Sequence, residues 1–342
     1  MSPFIRACLR PTALAIGILS VLPLTARADD TSAVVASTTV TLSNLHYELV
    51  NLQPNGGSIP AVSFDWTGQL STTRGFQFPD PDVSQTYGNT LLPASPTTVT
   101  GTNGLTSIST TADSVTLQSV TTLQNLQAGG QQISNDPGFH SLNWYNYNSA
   151  GLSLSNPNSV AGGLFGMADF GQFTLSANTA LRITGTMAST SSLDLTPLLN
   201  ALTTGTSGTT GTITASANSN GIGPNAQLML GKLQVNQDSN GNIPSIGVQG
   251  SAFSLNNANL SVSNAQPTAS DSNSQAFELV FTNLHDTAQT GDLMLSLNAS
   301  SGIYAGMSYV IPDVPSIPEP STYALMGLGL VGITLTRRRI TS

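Results

Sequence analysis

Apolar and polar residues alternate with a period of two along much of the chain. Phe277, Leu279 and Phe281 show this spacing. It recurs at Leu45/Tyr47/Leu49, Phe173/Leu175, Leu181/Ile183, Leu228/Leu230, Phe253/Leu255, Leu260/Val262 and Leu293/Leu295/Leu297. Because successive side chains of a β-strand point to opposite faces, this pattern predicts strands with one buried face. The expected fold is all-β, an antiparallel β-sandwich of jelly-roll or immunoglobulin-like type.

Stretches rich in glycine, asparagine, serine and proline separate the predicted strands. Turn chemistry is concentrated at residues 54–57, 238–241 and 289–292. These residue types favour turns because they tolerate left-handed backbone or hydrogen-bond their own main chain. The low-complexity stretch 203–212 and the polar stretch 266–275 are predicted to be connections between strands.

One segment has the features of a helix. Residues 193–202 are leucine-rich, and either Asp194 or Ser192 is the expected N-cap. The strand patterns before and after this segment are alike. We therefore expect one β domain over residues 29–312, with a division into two domains near residue 205 as the alternative.

The composition excludes several classes of protein. The chain has 342 residues, of which 39% are apolar and only 8% are charged. Nine basic residues stand against seventeen acidic ones, so there is no basic surface for nucleic acid. One cysteine and three histidines exclude zinc fingers, iron–sulfur clusters and a disulfide framework.

The N-terminus has the three parts of a secretory signal peptide. Two arginines precede an apolar run over residues 12–24, and Ala26 and Ala28 then stand immediately before Asp29. The run is shorter than the ~20 residues that a spanning helix needs, which argues against the alternative of an uncleaved anchor. We predict that residues 1–28 are removed by signal peptidase, so that the mature chain begins at Asp29.

Removing the two charged ends changes the charge of the protein. Residues 29–317 contain sixteen acidic and three basic residues, a net charge of −13, whereas the whole chain carries −8. The single cysteine, Cys8, belongs to the predicted signal peptide. The mature chain therefore has no disulfide and depends on packing for its stability outside the cytoplasm.

The C-terminus carries a second set of signals. It reads Pro318, Glu319 and Pro320, an apolar run over residues 323–336, and then Arg337, Arg338 and Arg339. Positive charge beyond an apolar segment favours the cytoplasmic side of a membrane. We predict a short transmembrane helix over about residues 321–336, preceded by backbone that the prolines keep out of the helix.

This order of features resembles the PEP-CTERM sorting signal, and the resemblance covers residues 313–342. It implies recognition by exosortase, an integral-membrane enzyme similar to cysteine transpeptidases. The resemblance further implies that this enzyme cleaves near Pro-Glu-Pro and releases or transfers the protein outside the inner membrane. The family occurs in Gram-negative bacteria that make exopolysaccharide, and its members populate biofilm or floc matrix. A plain single-pass anchor is the alternative.

A second and weaker resemblance covers residues 42–57. This segment is similar to the opening strand and turn of a common group of PEP-CTERM proteins, in which a D-P-N-D-G turn follows the first strand. Gln53 and Gly56 stand here at the acidic positions. The resemblance supports a similar sandwich and implies no chemistry.

The sequence lacks the common catalytic motifs. It contains no nucleophile elbow, no H-E-x-x-H and no phosphate-binding loop. Asp80 and Asp82 could offer carboxylates to calcium, but a solvated loop kinked by Pro81 is the interpretation that we favour. Residues 238–249 begin like a calcium loop, yet Ile243 and Gln249 occupy the positions that need glycine and glutamate, which predicts a hairpin turn.

We therefore predict a non-enzymatic protein with no catalytic, cofactor-binding or metal-binding residues. The three histidines, which are expected at the surface or in turns, are isolated from one another in the sequence: His46, His140 and His285.

One aromatic cluster is a candidate for glycan contact. In a strand, Tyr145 and Tyr147 face one way and Trp144 the other, so one face could stack a sugar ring. Packing of Trp144 into the core, with the tyrosines at its rim, explains the same residues. Two functions remain: an exported surface or matrix protein associated with exopolysaccharide, or a polysaccharide-binding or polysaccharide-modifying protein with the same sorting signal.

Overall fold

The computed structural model describes residues 33–54, 59–74, 81–102, 104–128, 130–136, 139–156, 170–205, 213–218, 224–236 and 245–309. These residues all lie in one compact unit, Ala33–Ser342. The strands, numbered in chain order, are β1 (Val34–Asn51), β2 (Val62–Asp65), β3 (Thr67–Arg74), β4 (Pro81–Gly88), β5 (Thr97–Thr100), β6 (Thr106–Thr110), β7 (Val115–Thr122), β8 (Gly130–Asp136), β9 (Phe139–Asn146), β10 (Asn148–Ser155), β11 (Phe170–Leu175), β12 (Thr179–Asp194), β13 (Ile213–Asn218), β14 (Asn225–Asn236), β15 (Ser245–Asn256), β16 (Ser261–Ser263), β17 (Thr268–Asn283), β18 (Gln289–Ser300) and β19 (Ile303–Tyr309). Two short helices are α1 (Leu123–Ala128) and α2 (Thr196–Gly205).

The strands form three sheets, and neighbouring strands pair antiparallel throughout the described residues. The six-stranded sheet has the order β17-β12-β1-β7-β6-β5, and the five-stranded sheet has the order β16-β13-β19-β9-β8. The eight-stranded sheet has the order β15-β14-β18-β10-β3-β4, with β11 between β18 and β2. Strands from both sides of residue 205 therefore pair within the same sheets. The prediction of an all-β fold made of antiparallel sheets is confirmed.

The main core lies where the six-stranded and eight-stranded sheets contribute to one buried cluster. Leu42, Leu117 and Ile183 come from the first sheet, and Leu70, Leu152 and Leu295 come from the second. The alternating residues of the sequence supply this core: Leu293, Leu295 and Leu297 are each 1% exposed. Burial of these apolar side chains is the main favourable contribution to the free energy of folding, although the strands also carry many polar residues.

A smaller core underlies the five-stranded sheet. Its buried residues come from the start of β1, the end of β12, the two helices and the five-stranded sheet with its flanking residues. They are Val35, Leu126, Trp144, Leu193, Leu195, Leu198, Leu260, Val262, Ile303 and Ala305. The two helices thus lie where the five-stranded sheet meets the ends of β1 and β12.

The chain crosses between the five-stranded and eight-stranded sheets twice, from β9 to β10 and from β18 to β19. Both crossings lie at one buried polar junction. The Oγ of Ser119 lies 2.7 Å from the Oγ of Ser301, and it also donates to the carbonyl of Asn148 at 2.9 Å. The hydroxyl of Thr121 donates to the carbonyl of Ser301 at 2.8 Å, and Asn148 donates to the side chain of Asn146 at 2.8 Å. Because buried polar groups cost free energy unless they are paired, this network allows the strands to bend inside the protein.

The predicted helix is confirmed, with a later start. Helix α2 begins at Thr196, and the Oδ1 of Asp194 accepts from the Thr196 backbone N–H at 2.8 Å, which agrees with the expected cap. Helix α1 was missed because its six residues have too short a pattern to predict, although Leu126 is fully buried. Among the described residues, no helix is both long enough and apolar enough to span a membrane. The predicted signal and transmembrane helices lie outside the described residues.

Two predictions about connections were wrong. The polar stretch 266–275 is mostly strand, because β17 pairs with β12 from Asn283 to Thr268 without a register shift. The predicted turn at 289–292 lies inside β18, where Gly291 pairs with Phe173, and residues 284–288 make the connection instead. In both places backbone pairing to a neighbouring strand overrides local turn propensity. The turn residues 55–57 and 238–241, and most of the predicted loop 203–212, lie outside the described residues.

Glycines lie opposite aromatic rings at three places in the sheets. The register pairs are Gly68 with Tyr87, Gly185 with Phe277 and Gly291 with Phe173. A β-carbon at each of these glycines would meet the ring of the paired residue. The rings thus pack over bare backbone, which explains why a glycine is placed inside a buried strand.

Gly291→Ala is expected to lower the free energy of unfolding by about 1–3 kcal/mol, because the ring of Phe173 must move. Gly151→Ala is the matched control, since its β-carbon would meet only ordinary contacts, the nearest being the Leu297 carbonyl at 3.6 Å. Urea unfolding of the exported protein measures both changes. Equal stability losses in the two variants would show that the ring contact does not decide the effect.

Candidate functional site

The outward face of the six-stranded sheet is covered with hydroxyl side chains. Inward residues such as Val40, Leu42 and Leu117 are buried, and their strand neighbours point outward. We call the following outward residues the hydroxyl face: Ser37, Thr39, Thr41, Ser43, Thr98, Thr100, Ser107, Ser109, Thr116, Gln118, Thr186, Ala188, Thr190, Ser192, Ser270, Ser272, Ser274 and Ala276. None of these residues is charged.

The register aligns these side chains in rows across all six strands. One row joins Ser272, Thr190, Thr39, Gln118, Ser107 and Thr100, and the next joins Ser274, Ala188, Thr41, Thr116, Ser109 and Thr98. Neighbouring strands of a sheet are ~4.8 Å apart, and residues two apart on one strand are ~6.8 Å apart. The hydroxyl face is therefore an array of hydrogen-bonding groups that is interrupted at Ala188 and Ala276.

Part of this array is free to bind another molecule. The hydroxyls of Ser37 and Ser192 are 2.7 Å apart, and those of Thr41 and Thr116 are 3.4 Å apart. By contrast, the hydroxyls of Thr39 and Thr190 make no hydrogen bond to any of the described residues. Each hydroxyl offers one donor and two acceptor positions, so these groups are available from solvent.

A shallow groove lies at one end of the hydroxyl face. It is lined by Ser37, Thr190, Ser191, Ser192, Ser270, Asp271 and Ser272. Asp271 is the charged residue of this lining, and its carboxylate is held in place because it accepts from the backbone N–H groups of Ser272 at 2.9 Å and Ala258 at 2.8 Å. The groove thus combines hydroxyls with one fixed carboxylate.

Charged residues lie at the other end of the same sheet and are paired with each other. Arg182 contacts Glu48 at 2.7 Å and Glu278 at 2.8 Å, so it joins β1, β12 and β17. The hydrogen bond from Arg182 holds the pKa of Glu278 below its usual value. A register shift between Ser43 and His46, with Asn44 in left-handed backbone, separates this charged end from the hydroxyl face.

The aromatic residues predicted to contact a glycan are not exposed together. Trp144 is 5% exposed and belongs to the smaller core, whereas Tyr145 and Tyr147 are half-buried. The indole is thus enclosed by Leu126, Ile303 and the other residues of that core. Only the tyrosines of this cluster retain part of their surface for a ligand.

The candidate metal ligands are either paired or outside the described residues. Both carboxylate oxygens of Asp82 accept from Thr102, one from its backbone N–H and one from its hydroxyl, each at 2.8 Å. Within the described ranges, no three His, Cys, Asp or Glu residues form a group that could hold a metal. Asp80 lies outside those ranges, as do residues 237–244, which connect the paired strands β14 and β15.

The three histidines lie apart in the structure as well. His46 is on β1 and His285 is in the connection before β18, and both are exposed. His140 lies on β9, and its side chain is outside the described set.

The sorting segment follows directly from the five-stranded sheet. Its inner strand β19 ends at Tyr309 and pairs with β13 on one side and β9 on the other. Pro318, Glu319, Pro320 and Arg337–Arg339 lie outside the described residues, as do Ala26, Ala28 and Asp29 at the predicted signal cleavage site.

Comparison with known proteins identifies the C-terminal segment. Residues 316–339 match the family model of the PEP-CTERM protein-sorting motif, and they include Pro318–Pro320 and Arg337–Arg339. The resemblance of this segment to the PEP-CTERM signal is therefore confirmed. No curated protein and no solved structure gives a significant match to the chain.

Proposed function

We propose that this exosortase-targeted, exported protein is a non-enzymatic component of the cell surface or extracellular matrix, associated there with exopolysaccharide. The observation that carries the proposal is the PEP-CTERM motif at residues 316–339, which implies export and a precursor anchored in the membrane. Exosortase and signal peptidase are the processing partners. After both cleavages, the acidic body of the protein, residues 29 to about 317, remains outside the inner membrane.

The body suits a structural role in such a matrix. We describe its architecture as a β-sandwich, because residues of the six-stranded and eight-stranded sheets share one buried cluster. An extensive antiparallel network with two apolar cores stabilises the part of the chain that the structure describes through packing. Its low content of charged residues leaves surfaces made mainly of neutral hydroxyl and amide groups.

A second candidate function is carbohydrate binding. The neutral hydroxyl face favours it, since hydroxyl groups can both donate to and accept from sugar hydroxyls. The half-buried rings of Tyr145 and Tyr147 offer a smaller second surface. This function uses the same sorting signal and is compatible with a place in the matrix.

Deleting the exosortase and locating the protein tests the proposal. In the parent strain, we expect the protein in the extracellular matrix fraction, and in the deletion strain in the membrane fraction. A strain unable to make exopolysaccharide is the matched control, in which processed protein should appear in the medium. Equal distribution in the parent and exosortase-deleted strains would contradict the sorting claim, and retention without polysaccharide would contradict the matrix association.

A further inference from the structure

We infer that the hydroxyl face is a binding surface for a neutral polysaccharide chain. The inference rests on the proposed function, because it identifies the surface by which the exported protein holds matrix polymer. It places the binding surface on the six-stranded sheet rather than on the aromatic residues Trp144, Tyr145 and Tyr147.

The distribution of charge on the protein favours an uncharged ligand. The hydroxyl face carries no charged residue, although residues 29–317 as a whole have a net charge of −13. The carboxylate of Asp271 lies on the edge strand β17 and accepts from two backbone N–H groups, and the charges at the far end of the sheet, Glu48, Arg182 and Glu278, are bound to one another beyond the bulge at Asn44. A polyanion would be repelled by the negative net charge of residues 29–317, and it would find no free cation on this face. A neutral polymer is not repelled and needs no cation.

The hydrogen-bonding groups match those of a sugar. Thr39 and Thr190 are paired in register on adjacent strands, and their hydroxyls are free among the described residues. Ser272 continues the row on β17, and its neighbour Asp271 also lines the groove. Sugar hydroxyls need both donors and acceptors, and a carboxylate next to hydroxyls provides strong acceptors for them.

The dimensions of the face suit a polymer. Six strands ~4.8 Å apart place the outer strands ~24 Å from each other. No aromatic residue belongs to the hydroxyl face, so each contact is a hydrogen bond that gains little over water. A chain that makes many such contacts in succession is retained through multivalency, whereas a single sugar is not.

The sheet edge beside this face is partly closed, so a ligand does not add as a strand there. The hydroxyl of Ser251 donates to the carbonyl of Val280 at 3.0 Å and accepts from its N–H at 3.1 Å. Toward the other end of β17, the side chain of Asp271 occupies the N–H of Ser272. Contact through side chains of the face is therefore the binding mode that we propose.

The test measures retention of the exported protein on two neutral polymers, dextran and cellulose, and on the polyanion alginate. The variant Thr39→Lys/Thr190→Lys places two charges in the middle of the hydroxyl face. The control Ser84→Lys/Thr86→Lys places the same charges on exposed positions of β4 in the eight-stranded sheet. Circular dichroism and thermal unfolding verify that both variants are folded.

We expect the wild-type protein to be retained on a neutral polymer, with little change between low and high salt. The variant on the hydroxyl face should lose at least about tenfold in affinity, the result of losing ~1.4 kcal/mol of contacts, and the control should not. If lysines at residues 39 and 190 destabilise the fold, Thr190→Ala/Ser272→Ala is the second variant, with the same expected direction.

Three results would overturn the inference: no retention on either neutral polymer, equal loss in the face and control variants, or preferential retention of the wild-type protein on alginate. These failures are distinct from failure of the proposed function. A protein that is sorted to the matrix but does not bind neutral polymers refutes only the binding surface. A protein that binds these polymers but is not exported refutes only the proposed function.

Discussion

Replacing Trp144 with alanine is expected to lower the free energy of unfolding by about 3–5 kcal/mol, the usual cost of removing a large buried aromatic side chain. Trp144 is 5% exposed and is the largest residue of the smaller core. Its strand β9 pairs with β19, where Ala305 lies opposite the tryptophan. The substitution therefore leaves a cavity between the five-stranded sheet and the helices, and it loosens the strand that leads to the sorting segment.

Tyr147→Ala is the matched control, because Tyr147 is a half-buried aromatic residue in the same segment. It should cost much less stability than Trp144→Ala. Denaturant unfolding of both exported variants gives the comparison, and retention on dextran and cellulose gives a second one. If Trp144→Ala leaves stability unchanged but abolishes retention on polysaccharide, the indole acts as a ligand contact rather than as core.

Pro318→Ala/Pro320→Ala is expected to abolish C-terminal cleavage. Proline disfavours the interior of a helix, and the residue before a proline favours extended backbone, the conformation that a protease binds. Both prolines belong to the matched sorting motif. The double variant should accumulate in the membrane fraction as uncut precursor. Pro315→Ala, just before the motif, is the control and should be cleaved normally.

A second variant tests the charge at the end of the same signal. Replacing Arg337, Arg338 and Arg339 with serine removes the positive charge that favours a cytoplasmic location for the C-terminus. We expect reduced retention at the membrane before cleavage and a smaller yield of correctly processed protein, measured by fractionation and immunoblotting. Normal processing of both the proline and the arginine variants would contradict recognition through this motif.

The β-strands of the core could be predicted from the sequence because their apolar residues alternate. Leu293, Leu295 and Leu297 satisfy this pattern in a strand with one buried face. The strand β17 was harder to predict, since its first half has the composition of a loop. Residues 268–276 become strand because β12 offers them a continuous backbone partner, which local composition does not reveal.

The role of the glycines that lie opposite aromatic rings could not be predicted from the local sequence either. Gly291 has the local signature of a turn, but in the structure it provides room for the ring of Phe173 across the strand pair. The position of that ring depends on which strands become neighbours. Strand order is long-range information, which a local pattern of residue types does not contain.

The candidate sites differ in how far they could be predicted. The sorting signal is local, so Pro318–Pro320 and the arginine cluster could be identified from their order alone, and the family match confirms them. The hydroxyl face was missed, although Ser and Thr at alternate positions 37–43 and 270–274, and at 186, 190 and 192, are a visible signal. These residues form one surface because β17, β12 and β1 pair in register, which the local sequence does not show.

The most direct test of the account is the intact mass of the protein recovered from the extracellular matrix. We predict a chain that begins at Asp29 and ends near Pro318–Pro320, without Arg337, Arg338 and Arg339. That mass would show both cuts in one measurement, and the same protein from an exosortase-deleted strain should keep the arginine cluster. Extracellular protein that retains residues 321–342 in the parent strain would contradict the central claim that exosortase processes and releases it.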